Sequence, residues 1–166
     1  MNKNILRILA SLLIMSSAAR ASAQDTSATL SVDKKPALVF KVPKAAKLVS
    51  TNGYLRIQTT NLTLHVWAVP DAKRAADAIP RVPDIIKSEF LNFKTTDILS
   101  LDFAGAPGRH VIGSGNEADD NDPGKAEVVL FLVGGRVFAA CVHGEADDAA
   151  KARPAMMAVL KTAKAP

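Results

Sequence analysis

Three histidines and a single cysteine are the side chains of this chain best suited to metal binding or catalysis. His65, His110 and His143 each fall on a segment with the pattern of a β-strand, or at its end, and none forms a metal-ligand pair such as His-x-x-x-His. Histidines from separate strands can meet on one sheet and bind zinc, but this spacing does not require it. The sequence therefore favours separate structural or surface roles for the three residues.

Cys141 is the only cysteine, which excludes an internal disulfide and a metal site built on several thiolates. It lies two residues before His143, so the two side chains share one strand face, where they could form a reactive pair. It also lies inside the apolar run 137–142, where a cysteine usually behaves as a small buried apolar residue. Burial is the favoured interpretation, and a reactive thiol is the alternative.

An acidic loop over 119–124 offers oxygen ligands of the type that calcium prefers. Asp119, Asp120 and Asp122 are weak candidates for a cation site, because Pro123 interrupts the EF-hand pattern. Asp, Asn, Pro and Gly are also the usual residues of turns. A turn is the favoured interpretation of this loop.

The chain carries no recognisable catalytic or cofactor motif. Ser114 lacks the Gly-x-Ser-x-Gly frame of a hydrolase nucleophile, and no helical pattern follows it. The glycines fit neither the dinucleotide-binding nor the P-loop pattern. The sequence therefore assigns no catalytic residue, no metal and no cofactor. The alternative is a metal-binding protein or a hydrolytic enzyme that uses the histidines or Cys141.

Five lysines and the only tryptophan are the residues we assign to a partner surface. The lysines fall within fourteen residues and no acid separates them: Lys34, Lys35, Lys41, Lys44 and Lys47. They could dock an anionic partner, although lysines also protect sheet edges. Trp67 either packs under a helix or anchors a partner. A base-stacking platform is not supported, so no nucleic-acid partner is predicted.

The N-terminal residues have the three parts of a secretory signal peptide. Lys3 and Arg7 precede the apolar run 8–15, and small residues lead to a predicted cleavage site between Ala23 and Gln24. The apolar run is far shorter than the roughly 20 residues that span a bilayer, so no transmembrane segment is expected after cleavage. The predicted location is the periplasm or the exterior.

Removal of residues 1–23 changes the charge of a chain of 166 residues. Three of its 21 basic residues and none of its 16 acidic ones lie there, so the net charge falls from +5 to +2. A general basic surface is therefore not expected. We expect a flexible leader over 24–36 and one domain over 37–164.

The pattern of apolar residues then indicates which elements hold these side chains. Strand patterns cover 37–42, 54–59, 62–69, 93–103 and 109–113, and helical spacing covers 71–90 and the C-terminal stretch. The strongest signal is a β-hairpin over 127–142, which turns at Gly134-Gly135. Both of its arms are continuously apolar, which is typical of strands buried on both faces. We predict an α+β fold in which helices flank an antiparallel sheet on both faces.

This order of elements resembles the PsbP-like α/β/α sandwich family. The residues that carry the likeness are 39–44, which end a strand with a proline, 126–138 with its glycine turn, and 158–162. The likeness spans 37–164 and is a pattern of elements, so it implies the fold and transfers no functional residue. The function that we predict is an exported, non-catalytic binding or accessory module of the cell envelope, with an unidentified partner.

Overall fold

The structure, a computed structural model, describes residues 25–145 and 147–166 of the chain. The predicted signal peptide over 1–23, with its cleavage site between Ala23 and Gln24, lies outside the described residues. Within the described part, the strands form two antiparallel sheets. None of the helices described here is long and apolar enough to cross a membrane.

Strands make up most of the described chain. They are β1 Asp25–Val32, β2 Lys35–Pro43, β3 Lys47–Thr51, β4 Tyr54–Gln58, β5 Thr63–Val69, β6 Phe90–Phe103, β7 Ala106–Glu117, β8 Pro123–Val133 and β9 Arg136–Gly144. The helical elements are a 3₁₀ helix Ala75–Arg81, α1 Val82–Ile86 and α2 Asp148–Leu160.

Seven strands form the large sheet in the order β3-β4-β5-β9-β8-β7-β6. The predicted β8–β9 hairpin is confirmed, with Val133 opposite Arg136. Gly134 and Gly135 both have positive φ, of 56° and 74°. Such values give the tight turn whose twist matches that of the two strands. The continuously apolar arms lie inside the sheet and are buried, as their composition predicts.

One face of the large sheet packs against β1, β2 and α2. Alternate residues of β4, β5, β8 and β9 point into this core, which includes Phe40, Phe131, Phe138 and Met156. The small β1–β2 sheet is a hairpin in which Ala28 pairs with Phe40. Its buried residues extend the apolar layer across the strands that α2 leaves uncovered.

The opposite face packs against the 3₁₀ helix and α1. Ala78, Val82 and Ile86 from these helices contact a core that includes Val128 and Cys141. Residues of β5, β8 and β9 therefore alternate between the two cores with a period of two. This alternation decides which polar side chains can meet beneath the 3₁₀ helix.

The predicted fold class, an antiparallel sheet flanked by helices on both faces, is wrong, because helices do not form the two covering layers. The small β1–β2 sheet shares one face with α2, and only the 3₁₀ helix and the five-residue α1 pack on the other. The described chain is mostly β, with nine strands in two antiparallel sheets and only two short α-helices. Over 71–90, Pro80 and Pro83 leave room only for the 3₁₀ helix and a five-residue α1. The sequence predicts a flexible leader over 24–36 and one domain over 37–164, and these boundaries stay a prediction. In the structure residues 25–32 form β1, which pairs with β2. By contrast α2 continues through Pro154.

Candidate metal-binding site

His65 lies at the centre of the site because β5 lies between β4 and β9. In the strand register it is opposite Arg56 on one side and Cys141 on the other. Leu64 and Val66 point into the core beneath α2, so His65 points to the other face. Its side chain is only 3% exposed, and its imidazole must therefore find its polar partners inside the protein.

His143 joins His65 on this face. It follows Cys141 by two residues on β9, and its ring centroid lies 5.2 Å from that of His65 and 5.8 Å from that of Phe90. Both of its ring nitrogens are buried, and neither has a hydrogen-bond partner among the described residues. The Oε1 atom of Glu117 lies 3.6 Å from Nδ1, which is beyond hydrogen-bond distance. His143 is therefore a half-buried residue whose two ring nitrogens are buried and unpaired.

Glu89 and Tyr54 complete the polar cluster. Glu89 lies between α1 and β6, and its Oε2 is 3.5 Å from Nδ1 of His65. The hydroxyl of Tyr54 lies 2.9 Å from the same Nδ1 and donates to Oε1 of Glu89 at 3.3 Å. The phenol thus links the imidazole to the carboxylate and limits the movement of both side chains.

The environment keeps these groups in the forms that favour metal binding. Burial lowers the pKa of His65 to about 4; the Glu89 carboxylate opposes this shift and His143 adds to it. Burial and the Glu89 carboxylate raise the pKa of Tyr54 to about 12. At neutral pH His65 is therefore a neutral imidazole, the form that binds metal ions, and Tyr54 keeps its proton.

His65, Glu89 and His143 each offer one ligand atom, and these three atoms lie within 4.8 Å of one another. Three atoms so placed all lie within about 2.8 Å of a common point, compared with a usual Zn–N distance of about 2.0–2.1 Å. An ion at that point needs side-chain movements of less than about 1 Å. Two imidazoles and one carboxylate are a donor set that suits zinc and its neighbours among the transition metals.

Trp67 packs beside this cluster. Its ring is stacked on that of His65 at a centroid distance of 5.8 Å, and it lies 5.5 Å from that of Tyr54. The tryptophan remains partly exposed. It therefore both supports the imidazole and presents part of its ring to the surface.

His110 does not join the other two histidines. It lies on β7 on the α2 side of the sheet, with Nε2 2.9 Å from Oε2 of Glu127. Arg153 on α2 donates to both carboxylate oxygens of Glu127, each at 2.6 Å. This buried group has its hydrogen bonds satisfied, and its role is to attach α2 to the sheet.

Cys141 is fully buried, in agreement with the favoured interpretation of the sequence. Burial, together with the carboxylates of Glu89 and Glu127, raises the pKa of its thiol. The Sγ atom lies 3.6 Å from the carbonyl of Val142, to which the thiol donates. A protonated, enclosed thiol is a poor nucleophile, so the structure gives no support to a reactive Cys141.

The acidic loop brings two of its three candidates together. Carboxylate oxygens of Glu117, Asp119 and Asp120 lie within 4.8 Å of one another on the surface. The N–H of Asp122 instead donates to Oδ1 of Asp120 at 2.9 Å, and Asn121 has φ of 64°. This is the geometry of a turn, and cation binding there stays a prediction.

The lysines of the predicted partner surface are exposed but do not form one cluster. Lys34 and Lys35 lie at one end of β2, whereas Lys44 and Lys47 follow its other end. A strand of nine residues separates the two ends by about 25 Å. Lys41 lies between them on β2, and a role for these lysines in partner binding stays a prediction.

Tyr54, Glu89 and Glu117 are the site residues that the sequence did not reveal. Tyr54 begins a predicted strand, and its position opposite Trp67 follows only from the β4–β5 pairing. Glu89 lies between α1 and β6, and Glu117 is the last residue of β7. At such positions no periodic pattern predicts on which face of the sheet a side chain lies. Pairing of distant strands, which the sequence does not show, brings them together.

Comparisons with known proteins agree with the fold seen here. No protein-family model and no curated protein matches the chain. Among solved structures, cyanobacterial PsbP (CyanoP) from Synechocystis sp. PCC 6803 matches at a TM-score of 0.53 and 13% identity, over 92% of this chain and 99% of that one. The chain therefore has a PsbP-like fold, which confirms the resemblance noted in its sequence.

Two further structures match with lower TM-scores. PA94, a protein of unknown function from Pseudomonas aeruginosa, gives 0.47 at 12% identity, over 84% of this chain and 95% of that chain. LpqN from Mycobacterium tuberculosis, which is involved in cell envelope biogenesis, gives 0.46 at 15% identity, over 86% of this chain and 91% of that chain.

Proposed function

We propose that this protein is an exported, non-catalytic binding module that binds a divalent transition-metal ion, with zinc as the best fit. His65, Glu89 and His143 are the proposed ligands, and Tyr54 positions His65 and Glu89. The observation that carries the proposal is the burial of both His143 nitrogens without a hydrogen-bond partner among the described residues. Export rests on the signal-peptide pattern of residues 1–23.

The unpaired nitrogens of His143 carry an energetic cost in the metal-free protein. A buried donor or acceptor without a partner costs about 1–3 kcal/mol, and His143 contributes two such atoms. A metal ion would use one nitrogen of His143 as a ligand and offset part of that cost. The same ion would place a positive charge beside the Glu89 carboxylate.

The aromatic surroundings also support a metal ion as the missing partner. Trp67 and Phe90 enclose the two imidazoles, and their rings offer no hydrogen-bonding group that His143 uses. Groups around a metal that fix the orientation of its ligands strengthen binding. The hydrogen bonds of Tyr54 to His65 and Glu89 have this positioning role.

Titration with Zn²⁺ by calorimetry, and with Co²⁺ by visible absorption, tests the proposal. We expect one ion per chain, and we expect His65→Ala, His143→Ala and Glu89→Gln each to weaken binding at least about tenfold. His110→Gln is the matched control, because His110 is a buried histidine on the opposite side of the sheet. Circular dichroism would show that each variant is folded.

The proposal fails if the wild-type protein binds neither ion, or if the three ligand variants bind as tightly as the wild type. It also fails if His110→Gln weakens binding as much as His143→Ala does. The cobalt spectrum adds a second readout, because its intensity and position report the number and type of ligands.

A further inference from the structure

A groove with aromatic and apolar walls opens at one end of the molecule. Its volume is about 670 Å³, which lies within the range of sites that bind small molecules. Four turns surround it: β1–β2, β3–β4, β8–β9 and the loop after β5. The apolar part of its lining includes Val32, Tyr54, Trp67, Val69 and Val137.

Hydrogen bonds fix the rim of this groove. The N–H of Asp33 donates to Oδ1 of Asn52 at 2.7 Å, and the N–H of Gly53 donates to the Ser31 carbonyl at 2.7 Å. The N–H of Ala68 donates in turn to the Gly53 carbonyl at 2.8 Å. The turns are therefore tied to one another, and a ligand would meet a largely preformed site.

The groove combines two aromatic rings with two acidic residues. Asp33 and Asp71 are exposed on its lining, and their carboxylates form no ion pair or hydrogen bond with any described residue. The rings of Tyr54 and Trp67 lie 5.5 Å apart and are tilted by 44°. Aromatic faces attract organic cations, and carboxylates add a charge of the opposite sign.

We propose that this groove binds a small organic ammonium ion, with its alkyl groups against Trp67 and Tyr54 and its charge within reach of Asp33 and Asp71. The site is separate from the ligands of the proposed metal centre. The two sites share two side chains. Tyr54 offers its ring to the groove and its hydroxyl to His65, and Trp67 lines the groove while its ring stacks on His65.

Arg136 makes the proposal specific. It also lines the groove, and its guanidinium has no partner in the described part of the chain. An ammonium ion is repelled by Arg136, whereas a zwitterion or an anion would be attracted to it. Replacement of Arg136 by a neutral residue should therefore strengthen the binding of an ammonium ion and weaken the binding of a zwitterion or an anion.

The only tryptophan of the chain reports binding directly, since Trp67 lines the groove. The experiment is a fluorescence titration of the full chain with choline, in the presence of a chelator that removes metal ions. The uncharged tert-butyl analogue of choline is the matched control ligand. We expect a saturable change with choline and at least about fivefold weaker binding of the analogue.

Three variants test the charges. Asp33→Asn and Asp71→Asn should each weaken choline binding about fivefold, and Arg136→Gln should strengthen it. Asn tolerates the positive φ of 52° and 63° at the two aspartates, so the turns should keep their form. His143→Leu, which removes a proposed metal ligand, should leave choline binding unchanged and so separates the two proposals.

Three results would overturn the assignment. One is the absence of a saturable fluorescence change with choline, and another is equal binding of the uncharged analogue. The third is weaker choline binding in Arg136→Gln, because removal of a positive charge near a bound cation should strengthen its binding.

Discussion

The two faces of the large sheet differ in how the ring nitrogens of their histidines are hydrogen-bonded. On the α2 side, His110 and Arg153 both contact the Glu127 carboxylate, and each partner is satisfied. On the other side, the two ring nitrogens of His143 are buried without a hydrogen-bond partner among the described residues, next to His65. Buried polar groups in proteins are nearly always paired. The paired group therefore stabilises the fold, whereas the unpaired one is the place where we propose that a metal ion binds.

The largest loss of stability should follow from disrupting the hydrogen-bonded group of His110, Glu127 and Arg153. Arg153→Met leaves the Glu127 carboxylate buried with only His110 as a partner, and we expect a loss of about 3 kcal/mol in the free energy of unfolding. Urea denaturation measures this loss. Lys151→Met is the control on the same helix, because its ion pair with Asp148 is exposed and should not affect stability measurably. Equal stability of Arg153→Met and the wild type would contradict a structural role for the group.

The second largest effect should be the change in the stability of the metal-free protein with pH. The pKa of His65 is lowered to about 4 in the folded state, whereas an unfolded histidine has a pKa of about 6.5. The unfolded chain therefore binds more protons between these values, and stability falls as pH falls. At pH 5 this residue alone should cost about 2 kcal/mol relative to pH 8.

Urea denaturation at several pH values, in wild type and in His65→Gln, measures this contribution as the difference between the two proteins. The difference removes the effects of the other titrating groups. If the two proteins lose stability in parallel between pH 8 and pH 5, His65 does not have a lowered pKa.

The smallest expected effect is a gain in stability, whereas most substitutions of buried residues cause a loss. His143→Leu replaces two unpaired buried nitrogens by an apolar side chain of similar size, and we expect the metal-free protein to become about 1 kcal/mol more stable. His110→Leu should instead destabilise it, because the mutation removes the contact with Glu127. Thermal unfolding in the presence of a chelator compares the two variants. A destabilised His143→Leu would show that His143 already has a partner in the metal-free protein.

The sequence predicts the elements whose signals are local. The β8–β9 hairpin follows from two apolar runs around Gly134-Gly135, and the shared face of Cys141 and His143 follows from the strand period. β1 was missed because only Ala28 and Leu30 of its residues are fully buried, and its Ser, Thr and Asp residues are also typical of loops. The helical spacing over 71–90 predicts a longer helical segment than the structure has, since two prolines prevent a long helix.

The candidate site could be predicted only in part. The three histidines are visible in the sequence, but which two of them meet depends on the β5–β9 pairing that places His65 opposite Cys141. Strands so far apart in the chain carry no local sign of their partner or register. Glu89 reaches the site through the path of the chain after α1, which depends on packing against the sheet and not on a motif.

The most direct test of the metal site is a crystal structure of the protein grown with zinc, with diffraction recorded on both sides of the zinc absorption edge. We predict an anomalous peak bonded to His65, Glu89 and His143, with Tyr54 still in contact with the cluster. No peak at these residues, or a single peak at the carboxylates of Asp119 and Asp120, would contradict it.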